Sequence, residues 1–130
     1  MRIRVYYEDT DAAGVVYYAN YLKFMERART EWLRAIGFEQ DELVRRDRVM
    51  FVVRSAAIEF LKPARFNDAI DVDVAIAGYR GASINFAQHI RRAATVLCAG
   101  EIRVACVDSA SQAPCALPAA LTARLKEISP

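Results

Sequence analysis

One segment limits the fold more than any other. From Asn20 the apolar residues Tyr21, Phe24, Met25, Ala28, Trp32 and Ile36 fall at i, i+3, i+4, i+7, i+11 and i+15, which is one continuous helical face. Gly37 follows where a glycine commonly ends a helix. A helix with a single apolar stripe needs another surface to cover it, and the rest of the chain supplies strands. Four are predicted in succession: Met50 to Lys62, closed by Pro63; Ala69 to Tyr79, with Ile70, Val72, Val74 and Ile76 in alternation; Ser83 to Arg92; and Thr95 to Val107. A short strand over residues 2–8 precedes them, and Pro118 opens a final helix from Ala119 to Glu127. Residues 38–48 are a short polar helix or an irregular connection. Strands in succession imply hairpins, with turns at Pro63 to Asp68, Gly78 to Gly81 and Arg91 to Ala94. At 130 residues the chain is one domain, 1–130. The fold class is therefore α+β: a long central helix wrapped by an antiparallel sheet of about five strands. Small residues at Ala56, Ala57, Ala75 and Ala77 fall on both strand faces, so the uncovered face or edge is expected to meet another subunit.

Composition excludes several function classes. Lys plus Arg is 18 against 16 for Asp plus Glu, and a net charge of +2 makes no broad field for nucleic acid or anionic lipid. Charges at Arg2, Arg4, Glu8, Asp9 and Asp11 occupy the place of a signal peptide, and no apolar run approaches a membrane span, so a cytoplasmic protein is expected. Cys98, Cys106 and Cys115 lack the C-x-x-C spacing of metal or redox sites and read as free, buried thiols. The only histidine, His89, sits in a strand pattern far from any nucleophile motif, and one His with scattered carboxylates makes no metal set. No glycine-rich phosphate loop is present.

The unusual segment is Tyr6-Tyr-Glu-Asp-Thr-Asp-Ala-Ala-Gly-Val-Val-Tyr-Tyr-Ala-Asn-Tyr21, where three carboxylates precede a glycine turn and the start of the buried helix. A helix N-terminus offers unpaired N–H groups and a positive dipole end, which can polarise a carbonyl. A carboxylate beside it can act as nucleophile or general base. The same spacing also suits Asp9 or Asp11 as a helix cap, and the residues alone leave both uses open. Arg80, in Tyr79-Arg-Gly-Ala-Ser83, and the pair Arg91-Arg92 read as solvated turns, and Arg80 with neighbouring backbone N–H groups reads equally as a phosphate clamp.

The run Val5-Tyr-Tyr-Glu-Asp-Thr-Asp-Ala-Ala-Gly-Val-Val-Tyr-Tyr-Ala-Asn-Tyr-Leu-Lys-Phe-Met-Glu-Arg-Ala-Arg-Thr-Glu-Trp32 resembles the signature of the hotdog-fold acyl-CoA thioesterases. Within them it is similar to the YbgC-like branch, associated with the Tol-Pal system, and to the 4-hydroxybenzoyl-CoA thioesterases. Phe51-Val-Val-Arg54, Pro63-Ala-Arg65, Arg80-Gly-Ala-Ser83 and Cys106-Val-Asp108 extend the resemblance over the chain. It implies a hotdog fold, a homodimer or homotetramer with active sites at subunit interfaces, and hydrolysis of acyl-CoA without a separate cofactor, CoA being part of the substrate. It implies Asp11 as the catalytic carboxylate, the backbone N–H of Tyr18 as carbonyl donor, and Gly14 as the residue that lets the loop approach. Tyr7 matches a tyrosine sometimes counted in the site. Arg80 and Ser83 correspond to the residues that hold CoA phosphates, and Lys62 is a further candidate. An acyl carrier protein or a lipid-synthesis protein is a candidate partner. One departure stands out: many YbgC-like chains carry histidine where this one has Tyr18. A phenol is not a base at neutral pH, so the resemblance leaves the backbone N–H to act, as in the 4-hydroxybenzoyl-CoA branch. A dehydratase of the same fold would want a histidine near the helix start, where none occurs; a non-catalytic acyl-thioester-binding or envelope-associated interaction module is the alternative that the Tyr18 departure leaves open.

Overall fold

The computed structural model describes residues 1–128. The order is β1 (Arg2–Arg4), a 3-10 turn at Tyr7–Asp9, α1 (Tyr18–Ala35), α2 (Gln40–Glu42) running into a π-helical turn at Leu43–Asp47, β2 (Val49–Phe60), β3 (Ala69–Val72), β4 (Ala75–Arg80), β5 (Ser83–Arg92), β6 (Thr95–Asp108) and α3 (Ala119–Ile128). One antiparallel sheet runs β1-β3-β5-β6-β2, with β4 also paired to β5. The sheet and α1 bury each other in the α+β hotdog arrangement. Strand alternation turns Ile84, Phe86, Gln88 and Ile90 of β5 and Ile102, Val104 and Cys106 of β6 into the core, against Phe24, Met25, Ala28 and Leu33 of α1.

The helix sits close on the sheet because one position has no side chain. A Cβ at Gly100 would lie 2.7 Å from Ile58 Cδ1 and 3.1 Å from the Met25 thioether. Beside it, the fully buried Gln88 donates to the carbonyls of Met25 (3.0 Å) and Asp73 (3.3 Å) and accepts from Arg29 Nη1 (2.9 Å). Burial pushes the Arg29 guanidinium down, with Glu26 opposing it; the amide thus satisfies a buried cation and a helix carbonyl together. Bulges at Arg54 in β2 and between Ile76 and Gly78 in β4 bend the sheet around the helix.

Several expectations are corrected. The predicted strand Ala69 to Tyr79 is broken at Asp73, whose carboxylate turns back onto β5, accepting the His89 N–H at 2.6 Å and pairing with Arg91. Six strands therefore occupy five lanes, β3 and β4 sharing one side of β5. The strand over residues 2–8 stops at Arg4, because its partner β3 begins at Ala69 and the Tyr6 N–H is taken by Asp9 Oδ2 at 2.9 Å. Residues 63–68 are not a hairpin turn: β2 pairs with β6 at the far edge, and the connection crosses the start of α1 on its way to β3. The helix begins at Tyr18, two residues before Asn20, and Gly37 ends it at φ +102°. Cys115 is half-buried rather than buried.

The crossover is anchored by Asp68. Burial alone would raise its pKa, but the Arg65 N–H, the Arg92 guanidinium at 2.7 Å and the Arg65 charge outweigh that and hold it below the usual carboxylate range. Its carbonyl also accepts the Val5 N–H at 2.9 Å. A depressed folded pKa stabilises above the unfolded value, about 3.9, and that contribution is lost as pH falls through the folded value.

Two outcomes are expected in urea unfolding. Gly100→Val should cost about 1–3 kcal/mol by overpacking the helix–sheet contact. Asp68→Asn should cost about 1 kcal/mol at neutral pH and flatten the loss of stability below about pH 4.

Candidate active site

The acidic loop is organised around two aspartates with different duties. Asp9 is fully engaged: Oδ2 accepts the Tyr6 N–H (2.9 Å), Oδ1 accepts Asn20 Nδ2 (3.1 Å), and its carbonyl accepts the Tyr17 N–H (2.9 Å). It ties the loop to the first turn of α1. Asp11 is exposed, and only Oδ1 is held, by the Ala13 N–H at 2.8 Å. Its backbone closes a small hairpin, with the Asp11 N–H on the Val15 carbonyl (2.9 Å) and the Gly14 N–H on the Asp11 carbonyl (3.0 Å). Gly14 takes φ +78°, a conformation that would strain any side chain, which is why glycine stands there. Neither aspartate is the helix cap. The N-cap of α1 is Tyr17, and no side chain caps the first turn, so its leading N–H groups remain available donors.

The loop is stitched to the crossover. Val16 N–H donates to the Ala64 carbonyl (2.8 Å), the Ala64 N–H donates to the buried Tyr21 hydroxyl (2.9 Å), and Val15 pairs with Arg65. Burial pushes the Tyr21 phenol up, so it stays a neutral acceptor. Tyr7 is exposed and stacks on Phe66, ring centroids 3.9 Å apart. A cavity of about 250 Å³ opens beside the helix start, lined by Val16, Tyr18, Tyr21, Phe60, Leu61, Lys62 and Pro63. Phe60 lies 6.0 Å from Tyr18 and 5.6 Å from Tyr21, centroid to centroid. Tyr17 packs on Tyr18 at 4.7 Å, and their hydroxyl contact raises the Tyr17 pKa.

The other candidates lie elsewhere. Arg80 and Ser83 border the β4–β5 turn, where Gly81 takes φ +54° and Ser83 Oγ donates to the Arg80 carbonyl (3.3 Å). They line a cavity of about 590 Å³ on the outer face of the sheet with Arg54, Arg103 and Pro114, and among the described residues no carboxylate lines it. Arg54 and Arg103 were missed by sequence reasoning: the bulge that brings Arg54 there has no signature in a run of strand formers. Lys62 lies apart from this group, in the Tyr18 cavity. On β2 the nearest lining residues of the two cavities, Ser55 and Phe60, are five residues apart, about 17 Å. Arg91 and Arg92, the other basic pair, are engaged by Asp73 and Asp68. His89 is a strand residue facing Asp73. Among the described residues no group of three or more His, Cys, Asp or Glu could hold a metal ion, and no helix is long and apolar enough to cross a membrane.

The model of the thioesterase-like superfamily matches residues 5–125. The chain belongs to that superfamily. Among its thioesterase-like relatives, it is similar to the acyl-CoA thioester hydrolase YbgC of Escherichia coli O6:H1, 47% identical over 126 residues that cover 96% of this chain and 93% of that one. It is 44% identical to the acyl-CoA thioesterase YbgC of Haemophilus influenzae, over 89% of this chain and 85% of that one. Among solved structures, a probable thioesterase from Bartonella henselae superposes with a TM-score of 0.87 at 34% identity, covering 91% of this chain and 97% of that one. A gentisyl-coenzyme A thioesterase superposes with a TM-score of 0.86 at 28% identity, covering 94% and 98%.

Tyr21→Phe tests the stitching of this thioesterase-like loop. Leaving the Ala64 N–H buried without an acceptor should cost about 1–3 kcal/mol, read as a lower urea midpoint.

Proposed function

We propose that this chain hydrolyses acyl-CoA thioesters to a free carboxylic acid and CoA thiol. The observation that carries the reading is the 47% identity with an acyl-CoA thioester hydrolase along 96% of the chain. The loop chemistry supports it: a carboxylate with one oxygen tethered stands in a segment bound to an uncapped helix start.

In this reading the thioester carbonyl accepts a hydrogen bond from the Tyr18 N–H, where the helix dipole favours the developing negative charge. Gly14 keeps the loop free of side-chain bulk at the approach. Asp11 then either attacks the carbonyl carbon, giving a mixed anhydride that water opens, or draws a proton from an attacking water. CoA thiolate leaves and takes a proton. The acyl group lies against Tyr18, Tyr21 and Phe60, with Tyr7 at the rim and Lys62 beside the leaving group. Arg80 and Ser83, with Arg54 and Arg103, hold the CoA phosphates.

Within one chain the arginine cavity lies on the outer sheet face and the helix start on the inner one, which favours a homodimer or homotetramer whose second copy completes each site. The outer edge of β2, with Val53, Phe60 and the following Leu61 exposed, is an unpaired strand edge suited to that contact. A single subunit-sized species in solution would remove this part of the reading.

Free thiol release from acetyl to palmitoyl, benzoyl and 4-hydroxybenzoyl CoA tests the activity. Asp11→Asn should lower kcat by about 100-fold or more with an unchanged thermal midpoint. Arg80→Ala should raise KM with kcat nearly held. An Asp11→Asn variant at full rate refutes the mechanism, and a folded protein that turns over no ester refutes the function.

A further inference from the structure

Two of the three cysteines stand face to face, and neither has a part in the proposed chemistry. Cys106 Sγ and Cys115 Sγ are 3.7 Å apart. Cys106 lies near the end of β6, and Cys115 lies in the segment that leads to α3. Val107 and Pro114 form an antiparallel bridge, flanked by Cys115 N–H on the Cys106 carbonyl (3.0 Å) and Asp108 N–H on the Ala113 carbonyl (2.8 Å). This register sets Cys106 directly opposite Cys115. The Cys106 N–H itself goes to the Ala82 carbonyl (2.7 Å), so one backbone bond and the sulfur contact hold the two cysteines together. The sulfurs need close by only about 1.7 Å to reach bonding distance, a small side-chain rotation with no change in backbone pairing.

We propose that Cys106 and Cys115 are a site of reversible oxidation, closing an intrachain disulfide that pins the segment before α3 to β6. The two thiols are unequal in a way that suits stepwise chemistry. Cys115 is half-buried and meets the oxidant; Cys106 is buried, has the Ala116 carbonyl as well as Cys115 beside it, and burial together with the Cys115 hydrogen bond pushes its thiol up to about 12. With a peroxide as oxidant, the Cys115 sulfur attacks the O–O bond, forming a sulfenic acid and releasing water; sulfur loses two electrons and peroxide gains them. The Cys106 sulfur then attacks the Cys115 sulfur, the S–S bond forms, the S–O bond breaks, and hydroxide leaves with the Cys106 proton as a second water. A neutral thiol is a slow nucleophile in solution, but here the two sulfurs are already in contact, which replaces an encounter by an intramolecular step. Reduction by a free thiol restores both groups.

Cys98 is the internal control. It is buried, burial pushes its thiol up to about 11, and it lies eight residues along β6 from Cys106, about 26 Å away. The bridge would also fix its surroundings: Leu117 N–H bonds the Gly81 carbonyl (3.0 Å), and Pro114 lines the arginine cavity.

The test is hydrogen peroxide treatment of the folded full chain, followed by alkylation under denaturing conditions and peptide mapping without reductant. Two of the three thiols should disappear, in one peptide cross-link about 2 Da lighter than the reduced pair, recovered by dithiothreitol. Cys98→Ser should give the same cross-link, and Cys115→Ser should give none. Three thiols left free, a cross-link between chains, or a Cys115 sulfenic acid that persists beside a reduced Cys106 when dimedone is added only after the peroxide reaction is complete would each overturn the proposal.

Discussion

The seat of α1 on the sheet governs everything near the helix start. Met25 can settle onto β6 because Gly100 offers no Cβ, and Gln88 then reaches the Met25 carbonyl from the neighbouring strand. A polar side chain that is fully buried must satisfy its hydrogen bonds, so this contact fixes rotation and depth where apolar packing alone would tolerate sliding. With the helix set, Tyr21 falls under the crossover and its hydroxyl takes the Ala64 N–H. Ala64 in turn accepts Val16, and the hairpin that carries Asp11 hangs from that bond. The carboxylate is thus positioned by the core through a short series of hydrogen bonds, although its own side chain stands in solvent.

Charge is divided by use rather than by total. Arg2, Arg91 and Arg92 are held by Asp71, Asp73 and Asp68; the first pair fastens β1 to β3, and the other two fasten the β3–β4 break and the crossover to β5. Arg54, Arg80 and Arg103 instead share a cavity lined, among the described residues, by no acid. A net charge of +2 conceals this local excess, because interactions beyond about 10 Å are screened and only neighbouring charges matter. The two aspartates of the loop divide in the same way. Asp9 spends both oxygens on the fold, while Asp11 keeps one free.

Much of this was legible from residue order. The apolar face from Tyr21 to Ile36, the strand Ser83 to Arg92 and the final helix appear where periodicity predicts them, because each pattern is local and complete within its own element. The break at Asp73 was not legible: alternation continues through Val74 and Ile76, and only the presence of β5 gives the Asp73 carboxylate an N–H and a guanidinium to bind. The pairing of β2 with β6 was hidden for a related reason. Sequence proximity favours a hairpin with the next strand, whereas the helix lying across the sheet sends the chain over its N-terminus first. In the site, the carboxylate segment and Arg80 could be picked out by type and spacing, but Tyr21 read only as a core aromatic, and Arg54 and Arg103 read as ordinary strand charges.

The sequence by itself determined one amphipathic helix, a sheet to cover it, an acidic glycine-containing loop at the helix start, and membership in the thioesterase-like superfamily, since these reside in periodicity and in a contiguous motif. Only the tertiary structure decided which aspartate is spent on the fold, which arginines are free of acidic partners, and which cysteines touch. Each of those depends on distances between residues far apart in the chain, set by strand register and by the depth of one helix, and no local pattern encodes a distance of that kind.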